Sequence, residues 1–117
     1  MSIRATEGLV PEWYTPPGQD GDPAPARFHI RPLNGAEFGE VADHLEITAA
    51  GAVIRHAGRE RALAMGLIGW ENFFDSSGKN LPFSAANARL IPHEYRTHIV
   101  TRIINISYMS EEQEKNS

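Results

Sequence analysis

Five histidines are the side chains of this sequence with the most obvious chemical potential, because imidazole binds metals and transfers protons near neutral pH. His93 and His98 lie five positions apart, which on a helix separates the two rings, whereas metal ligands converge at spacings of three or four. His44 follows Glu40 at helical spacing, a pair typical of an ordinary surface. We therefore predict no metal site and no cofactor. The five are His29, His44, His56, His93 and His98.

Carboxylates and hydroxyls form no recognisable catalytic arrangement either. Glu37 with Glu40, and Asp43 with Glu46, recur at the spacing of a solvated helix surface. The segment Ser76-Ser77-Gly78 has no strand-to-helix elbow and no base assigned to it, so it lacks an activated nucleophile. The chain has no cysteine, which excludes disulfides, thiolate zinc sites and a cysteine nucleophile. We expect no catalytic residues and no enzymatic activity.

One cluster of basic and aromatic residues is a candidate binding patch. Arg27 and Arg31 fall on the same strand face as His29, and Trp13 with Tyr14 can lie across from them. Cross-strand aromatic and basic pairs also stabilise hairpins without binding anything. Both interpretations stay open, with the structural one preferred.

Composition indicates an ordinary folded protein with no nucleic-acid partner. The 117 residues are 41% hydrophobic and 22% charged, which is typical of one globular domain. Net charge is -4, and the basic residues are scattered or interleaved with acids, as in Arg59-Glu60-Arg61. Nucleic-acid binding needs a concentrated basic face, so we expect none.

The hydropathy pattern predicts neither a membrane span nor an export signal. No apolar run reaches the roughly 18 residues that cross a bilayer, and residues 1 to 7 lack the apolar core of a signal peptide. We therefore expect a cytoplasmic protein.

The N-terminal third predicts a long-looped β-hairpin arm over residues 11–32, after a flexible lead-in at 1–10. Residues 13–15 and 27–31 are strand-forming runs, and the proline- and glycine-rich segment 16–25 between them is a loop. Bordering prolines predict a sheet edge or a two-stranded arm. An isolated hairpin is marginal in water, so it has to dock on the rest of the domain or on another subunit.

Capping signals predict the first two helices. Asn34 caps the first with Glu37 as its capping-box partner, and the apolar positions of Phe38, Val41 and Leu45 follow at helical spacing. Residues 47–54 are ambiguous, because their alanines permit a helix while Ile47, Val53 and Ile54 around Gly51 permit a tight hairpin; we favour a small hairpin or an irregular turn and leave the conformation of residues 46–56 open. A second helix runs from about residue 57 to Gly66, a glycine that suits a left-handed C-terminal cap.

The apolar segment Gly66-Leu67-Ile68-Gly69-Trp70-Glu71-Asn72-Phe73-Phe74 is too interrupted by glycine for a helix and too apolar for an exposed loop. We expect it to be largely covered. Residues 75–78 are a turn signal, residues 81–83 return apolar side chains, and Ser84 caps a short alanine-rich turn.

The last helix, opened by Pro92 and Glu94, has an unusually broad apolar face. It is either the central core helix or partly an oligomer interface, and residues 111–117 form a polar tail. The stripe comprises Tyr95, Ile99, Ile103 and Ile106, widened by Val100 and Ile104.

Together these elements predict an α+β fold: an N-terminal long-looped β-hairpin packed with a small bundle of about three to four helices. The globular domain is expected over residues 11–110, with a helical core at 34–110. The predicted structural core comprises Phe38, Val41, Leu45, Leu63, Leu67, Trp70 and Phe73. Candidate interface or client-binding residues are Trp13, Tyr14, Phe28, Tyr95, Ile99, Ile103 and Ile106.

Four segments of the chain resemble a known family. They are Arg31-Pro32-Leu33-Asn34-Gly35 leading into Glu40-Val41, then Gly66-Leu67-Ile68-Gly69-Trp70-Glu71-Asn72-Phe73, then Asp75-Ser76-Ser77-Gly78, and Leu81-Pro82-Phe83-Ser84. In this succession, roughly residues 27–117 resemble the tail assembly chaperones of long-tailed bacteriophages and prophages.

The resemblance implies a non-enzymatic oligomer in the cytoplasm of the host bacterium. Such a protein binds the tape measure and tail tube proteins during tail morphogenesis and is not expected in the mature virion. The surplus apolar face of the last helix and the hairpin would then serve subunit contacts or client helices. The alternatives are another small phage structural protein, such as a head-tail connector or completion factor, and a small enzyme or ligand-binding domain.

Overall fold

The structure is a computed structural model that describes residues 10–19 and 21–116. Short strands and helices are interspersed along this part of the chain. The strands are β1 Glu12–Tyr14, β2 Arg27–Ile30, β3 Leu45–Thr48, β4 Gly51–Ile54 and β5 Leu67–Glu71. The helices are α1 Gly35–Ala42, α2 His56–Gly66, α3 Ala85–Ala88 and α4 His93–Asn116. The α+β class and the helix count are as predicted. Within the lead-in predicted at 1–10, residues 1–9 lie outside the described part.

The N-terminal hairpin is the first part of a three-stranded antiparallel sheet with the order β1-β2-β5. Trp13 lies opposite His29 in the β1–β2 pair, and Phe28 lies opposite Trp70 in the β2–β5 pair. The hairpin therefore docks on its own chain. The hairpin lies at the edge of this sheet, with β1 as the outer strand, and Pro25 and Pro32 lie just outside the paired residues of β2.

Helix α1 begins with the predicted capping box. Asn34 Oδ1 accepts a hydrogen bond from the Glu37 amide at 2.9 Å, and Glu37 Oε1 accepts one from the Asn34 amide at 3.0 Å. Arg31, just after β2, adds two hydrogen bonds to the Glu37 carboxylate, at 2.8 and 2.5 Å. These contacts join the end of the sheet to the start of α1, whose Val41 is fully buried and Phe38 partly buried.

The core assignment of Leu45 is wrong. Helix α1 ends at Ala42, and Leu45 begins β3, where its side chain is 50% exposed. The local reason is a switch of backbone hydrogen bonding: the His44 carbonyl accepts from the Arg55 amide at 2.9 Å. That bond starts the β3–β4 hairpin, whose turn uses the positive φ of Gly51, +117°.

Gly66 ends α2 without the predicted left-handed cap. The chain passes directly into β5, with Leu67 already extended at φ -89° and ψ 117°. Gly66 is buried because α4 crosses it closely. Within the apolar segment that Gly66 opens, Leu67–Glu71 form β5; the segment is buried at Leu67, partly covered at Trp70 and Phe73, and exposed at Ile68 and Phe74.

The next predicted turn is present at residues 75–78. Asp75 Oδ1 accepts hydrogen bonds from the amides of Ser77 at 2.9 Å and Lys79 at 3.0 Å, and Gly78 has φ +86°. A bridge between Phe74 and Asn80 closes the loop and returns the chain toward α3.

Helix α4 is the central core helix. Ile99 and Ile103 have 0% exposure, and Ser107, the one buried polar side chain within residues 10–19 and 21–107, is satisfied within the core. Ser107 Oγ donates to the Ile103 carbonyl at 2.6 Å and accepts from the Leu33 amide at 2.7 Å. The helix continues to Asn116, beyond the predicted boundary near residue 110, because Glu, Gln and Lys are good helix formers.

Candidate interaction groove

An open apolar groove of about 580 Å³ lies among α2, β5, α3 and the start of α4. We call it the α2–α3 groove. Two large side chains on its lining are exposed, Ile68 by 39% and Phe83 by 45%. Apolar residues dominate the lining, which comprises Leu63, Ala64, Leu67, Ile68, Phe83, Ala85 and Ala88 together with Glu60, Arg89 and Arg96.

An aromatic cluster holds Phe83 in place at this groove. The Trp70 ring lies edge-on to Phe83 with 4.9 Å between the ring centroids, and edge-on to Phe73 at 5.1 Å. Trp70 Nε1 donates to the Leu81 carbonyl at 2.7 Å, which fixes the chain two residues before Phe83. Phe28 of β2 contacts the same cluster from the sheet. Trp70, from the apolar segment that begins at Gly66, thus supports Phe83 at the groove.

Helix α3 contributes small side chains, which keep the groove open. Ser84 Oγ caps it by accepting from the Asn87 amide at 3.0 Å, and Asn87 Nδ2 donates back to the Pro82 carbonyl at 2.9 Å. Ala85 and Ala88 face the groove with no more than a methyl group each. This short capped turn therefore leaves space where larger side chains would fill it.

Charged residues of the lining are partly neutralised by each other. Arg96 forms an ion pair with Glu60, and its Nη1 donates to the Ala88 carbonyl at 2.7 Å. Arg96 of α4 is thereby connected to α2 through Glu60 and to α3 through Ala88. Arg89 is exposed, so the lining carries one net positive charge beside an apolar surface.

Three residues of the predicted basic and aromatic patch come together on the three-stranded sheet and contact each other, whereas Arg31 pairs with Glu37 and Tyr14 is partly buried. Trp13 stacks on His29 with 4.4 Å between centroids, and the Arg27 guanidinium lies 4.9 Å from the Trp13 ring. Arg27 also pairs with Glu71 of β5. Cross-strand contacts of this kind stabilise a sheet.

Tyr14 and Tyr95, two further candidates, are partly buried. Burial raises the pKa of the Tyr14 hydroxyl, and the nearby Arg102 guanidinium offsets part of that rise. Arg102 in turn donates to both carboxylate oxygens of Glu12, at 2.6 and 3.2 Å. Tyr14 therefore lies where β1 is fastened to α4, rather than on an open surface.

Most predicted interface residues lie in the core. Phe28, Ile99, Ile103 and Ile106 are buried in one apolar cluster with Ile30 and Leu33 of the N-terminal region, so their assignment to an exposed interface is wrong. The N-terminal sheet thus covers the broad apolar face of α4. Trp13 alone among the seven candidates is exposed, at 44%.

Sequence reasoning missed the groove residues Ile68, Phe83, Ala85 and Ala88. One signal was available for Ile68: if the segment is a strand, alternation places it on the face opposite Leu67. The groove itself depends on tertiary placement of α3 against α2, for which no short-range signal exists.

In the described residues, no group of three or more His, Cys, Asp or Glu side chains is placed to bind a metal ion. None of the helices in that part of the chain combines the length and apolar character needed to cross a membrane. Comparisons with protein-family models, curated proteins and solved structures give no match.

Proposed function

We propose that this chain is a non-enzymatic tail assembly chaperone, acting in the bacterial cytoplasm, that holds an amphipathic helix of a client in the α2–α3 groove. The observation that carries the proposal is the exposed apolar lining around Ile68 and Phe83. Helix-in-groove recognition places apolar side chains of the bound helix, at spacings of three and four, in a groove of this kind.

The chemistry of the groove favours a helical client over a small polar substrate. A substrate site usually adds several polar groups that fix its orientation, whereas here Glu60 and Arg96 are engaged with each other. Arg89 is the remaining charged residue of the lining. The best fit is an apolar helix face with an acidic residue at its edge. By resemblance, the tape measure protein is the proposed client, with the tail tube protein as a second partner.

The test is co-purification of the chain with the tape measure protein after co-expression. Ala64→Arg places a long charged side chain in the groove, from an exposed position on α2, and should abolish co-purification. Ala57→Arg is the matched control, because Ala57 is also exposed on α2 but does not line the groove. Equal binding by both variants would contradict groove binding. The same chain found in mature particles would favour the alternative, a structural or completion protein.

A further inference from the structure

The β3–β4 hairpin exposes apolar side chains on a sheet too small to cover them. Leu45 opposes Ile54 and Ile47 opposes Ala52, so these four side chains share one face. Ile47 is 77% exposed. A two-stranded hairpin is marginal in water, whereas three or more strands with a hydrophobic face are stable. Additional strands would therefore stabilise this hairpin.

One edge of this hairpin is suited to accept a strand. Among the described residues, β3 and β4 pair only with each other, so each has an open outer edge. Strand β3 carries Glu46, and charged residues protect an edge from pairing. Strand β4 has the sequence Gly51-Ala52-Val53-Ile54, with neither charge nor proline. The outer edge of β4 therefore has no charged residue or proline to prevent another strand from pairing with it.

The hydrogen bonds of the hairpin determine which groups of β4 point outward. The Arg55 amide donates to the His44 carbonyl, so this is a hydrogen-bonded pair. Bonded and non-bonded pairs alternate in antiparallel strands, so Ile54 forms no bond to Leu45 opposite it. Ala52 lies two residues earlier, so it likewise forms no backbone hydrogen bond to Ile47, the residue opposite it. The N–H and C=O groups of Ala52 and Ile54 therefore face the open edge.

We propose that two copies of this chain associate by antiparallel pairing of their β4 strands about a two-fold axis. The register that satisfies the outward groups pairs Ala52 of each copy with Ile54 of the other and places the two Val53 residues directly opposite each other. The resulting sheet has two strands from each copy, in the order β3-β4-β4-β3.

This register is self-complementary in charge and in polarity. Every side chain that meets across the Ala52–Ile54 stretch is uncharged, so no like charges oppose each other. Residues that share a face in one copy meet residues of the same face in the other. The exposed Leu45 and Ile47 of both copies then lie on one side of a single larger sheet. A second copy therefore fits this edge better than an unrelated charged strand.

A cysteine substitution tests the register, since the chain contains no cysteine of its own. In a non-hydrogen-bonded antiparallel pair the Cα atoms lie about 4.5 Å apart, within the disulfide range of about 4.4 to 6.8 Å. Val53→Cys should therefore form a covalent dimer on mild oxidation, at twice the chain mass of 13.0 kDa in non-reducing electrophoresis. Ala50→Cys, at the exposed turn of the same hairpin, is the control and should remain largely monomeric. Equal cross-linking of the two variants would overturn the proposal.

Light scattering of the full chain tests the association itself. The wild type should have twice the monomer mass, and Ala52→Pro should be monomeric because it removes an outward N–H while leaving the bonds within the hairpin. Ala52→Val keeps that N–H and should stay dimeric. A monomeric wild type, or a dimeric Ala52→Pro with an unchanged circular dichroism spectrum, would overturn the proposal. If Ala52→Pro fails to fold, the cross-linking of Val53→Cys becomes the test that decides whether the β4 strands pair. Loss of client binding by Ala64→Arg does not depend on any of these outcomes.

Discussion

Gly66, the last residue of α2, lies directly against the side chain of Ile103 on α4. A Cβ atom at position 66 would lie 2.7 Å from Ile103 Cγ2 and 2.8 Å from Ile103 Cδ1, closer than real carbon contacts allow. Ile103 is fully buried, so a shift of its side chain would meet close-packed neighbours. The glycine therefore sets how closely the two longest helices approach, and it does so immediately before β5.

Gly66→Ala should destabilise the fold by about 1 to 3 kcal/mol, because the added methyl overpacks the contact with Ile103. Urea denaturation measures the change in the free energy of unfolding. Gly39→Ala in α1 is the control: nothing lies within 4 Å of a Cβ at Gly39. This control should stabilise the protein by about 0.5 to 1 kcal/mol, as alanine normally does in a helix. Two variants of equal stability would show that the α2–α4 approach is not tight.

Trp70→Ala should cost about 2 to 3 kcal/mol in the free energy of unfolding. A fully buried tryptophan would cost about 3 to 5 kcal/mol, but Trp70 is only partly buried. Trp70→Phe keeps most of the ring contacts with Phe73 and Phe83 and loses the hydrogen bond from Nε1 to Leu81, so it should cost about 1 kcal/mol. Thermal or urea unfolding compares the two. A Trp70→Ala variant as stable as Trp70→Phe would mean that the ring contacts contribute little.

Asn72, just after β5, holds a left-handed conformation with φ 59° and donates from Nδ2 to the Pro25 carbonyl at 3.1 Å. Asn72→Ala should cost about 1 to 2 kcal/mol, because it loses the hydrogen bond and leaves a side chain in a conformation that alanine disfavours. Asn72→Gly loses the same bond but adopts this conformation freely, so it should cost less. The reverse order of stability in urea denaturation would contradict this account.

Local chemistry explains which elements the sequence predicted well. The capping box of Asn34 and Glu37, the cap at Ser84 and the turn at residues 75–78 each depend on atoms within about four positions of one another. Side-chain to backbone hydrogen bonds at that range depend only on the local sequence, which is why Asn, Asp and Ser mark caps and turns. The small hairpin that ends at Ile54 is local too, with Gly51 supplying the positive φ of its turn, but the sequence alone leaves the conformation of residues 46–56 open.

Elements that depend on distant partners were predicted less well. The broad apolar face of α4 is explained by β2 and β5, which bury Phe28 and Leu67 in the same cluster as Ile103. A short stretch of sequence shows neither which elements cover the apolar face of α4 nor that β5 is a strand. Leu45 matches the helical period of α1, yet the pairing of β3 with β4 ends the helix before it. For α4 and β5 a contact distant in sequence outweighs the local pattern, whereas at Leu45 the hairpin pairing with Ile54 outweighs the helical pattern.

The Glu37 carboxylate is the group whose titration should most affect stability. The hydrogen bonds from Arg31 are the largest influence on the pKa of Glu37 and lower it, burial opposes them, and the hydrogen bond from the Asn34 amide lowers it further, so that the pKa falls from 4.5 to about 2. The folded state therefore favours the charged carboxylate. The resulting stabilisation is fully present above the unfolded pKa and is lost as pH falls through the folded pKa.

Glu37→Gln should lower the free energy of unfolding by about 1 to 2 kcal/mol at pH 7, because it removes the ion pair with Arg31 and weakens the capping box. The difference from the wild type should shrink as pH falls from 4.5 to about 2, where the wild-type carboxyl becomes protonated as well. Urea denaturation across this range measures it. Glu40→Gln is the matched control, because Glu40 lies in the same helix and pairs with Arg61 where both side chains are 53% exposed. The control should cost less than about 1 kcal/mol at pH 7. A Glu37→Gln deficit that stays constant between pH 7 and pH 2 would show that the loss comes from helix packing rather than from the charge on Glu37.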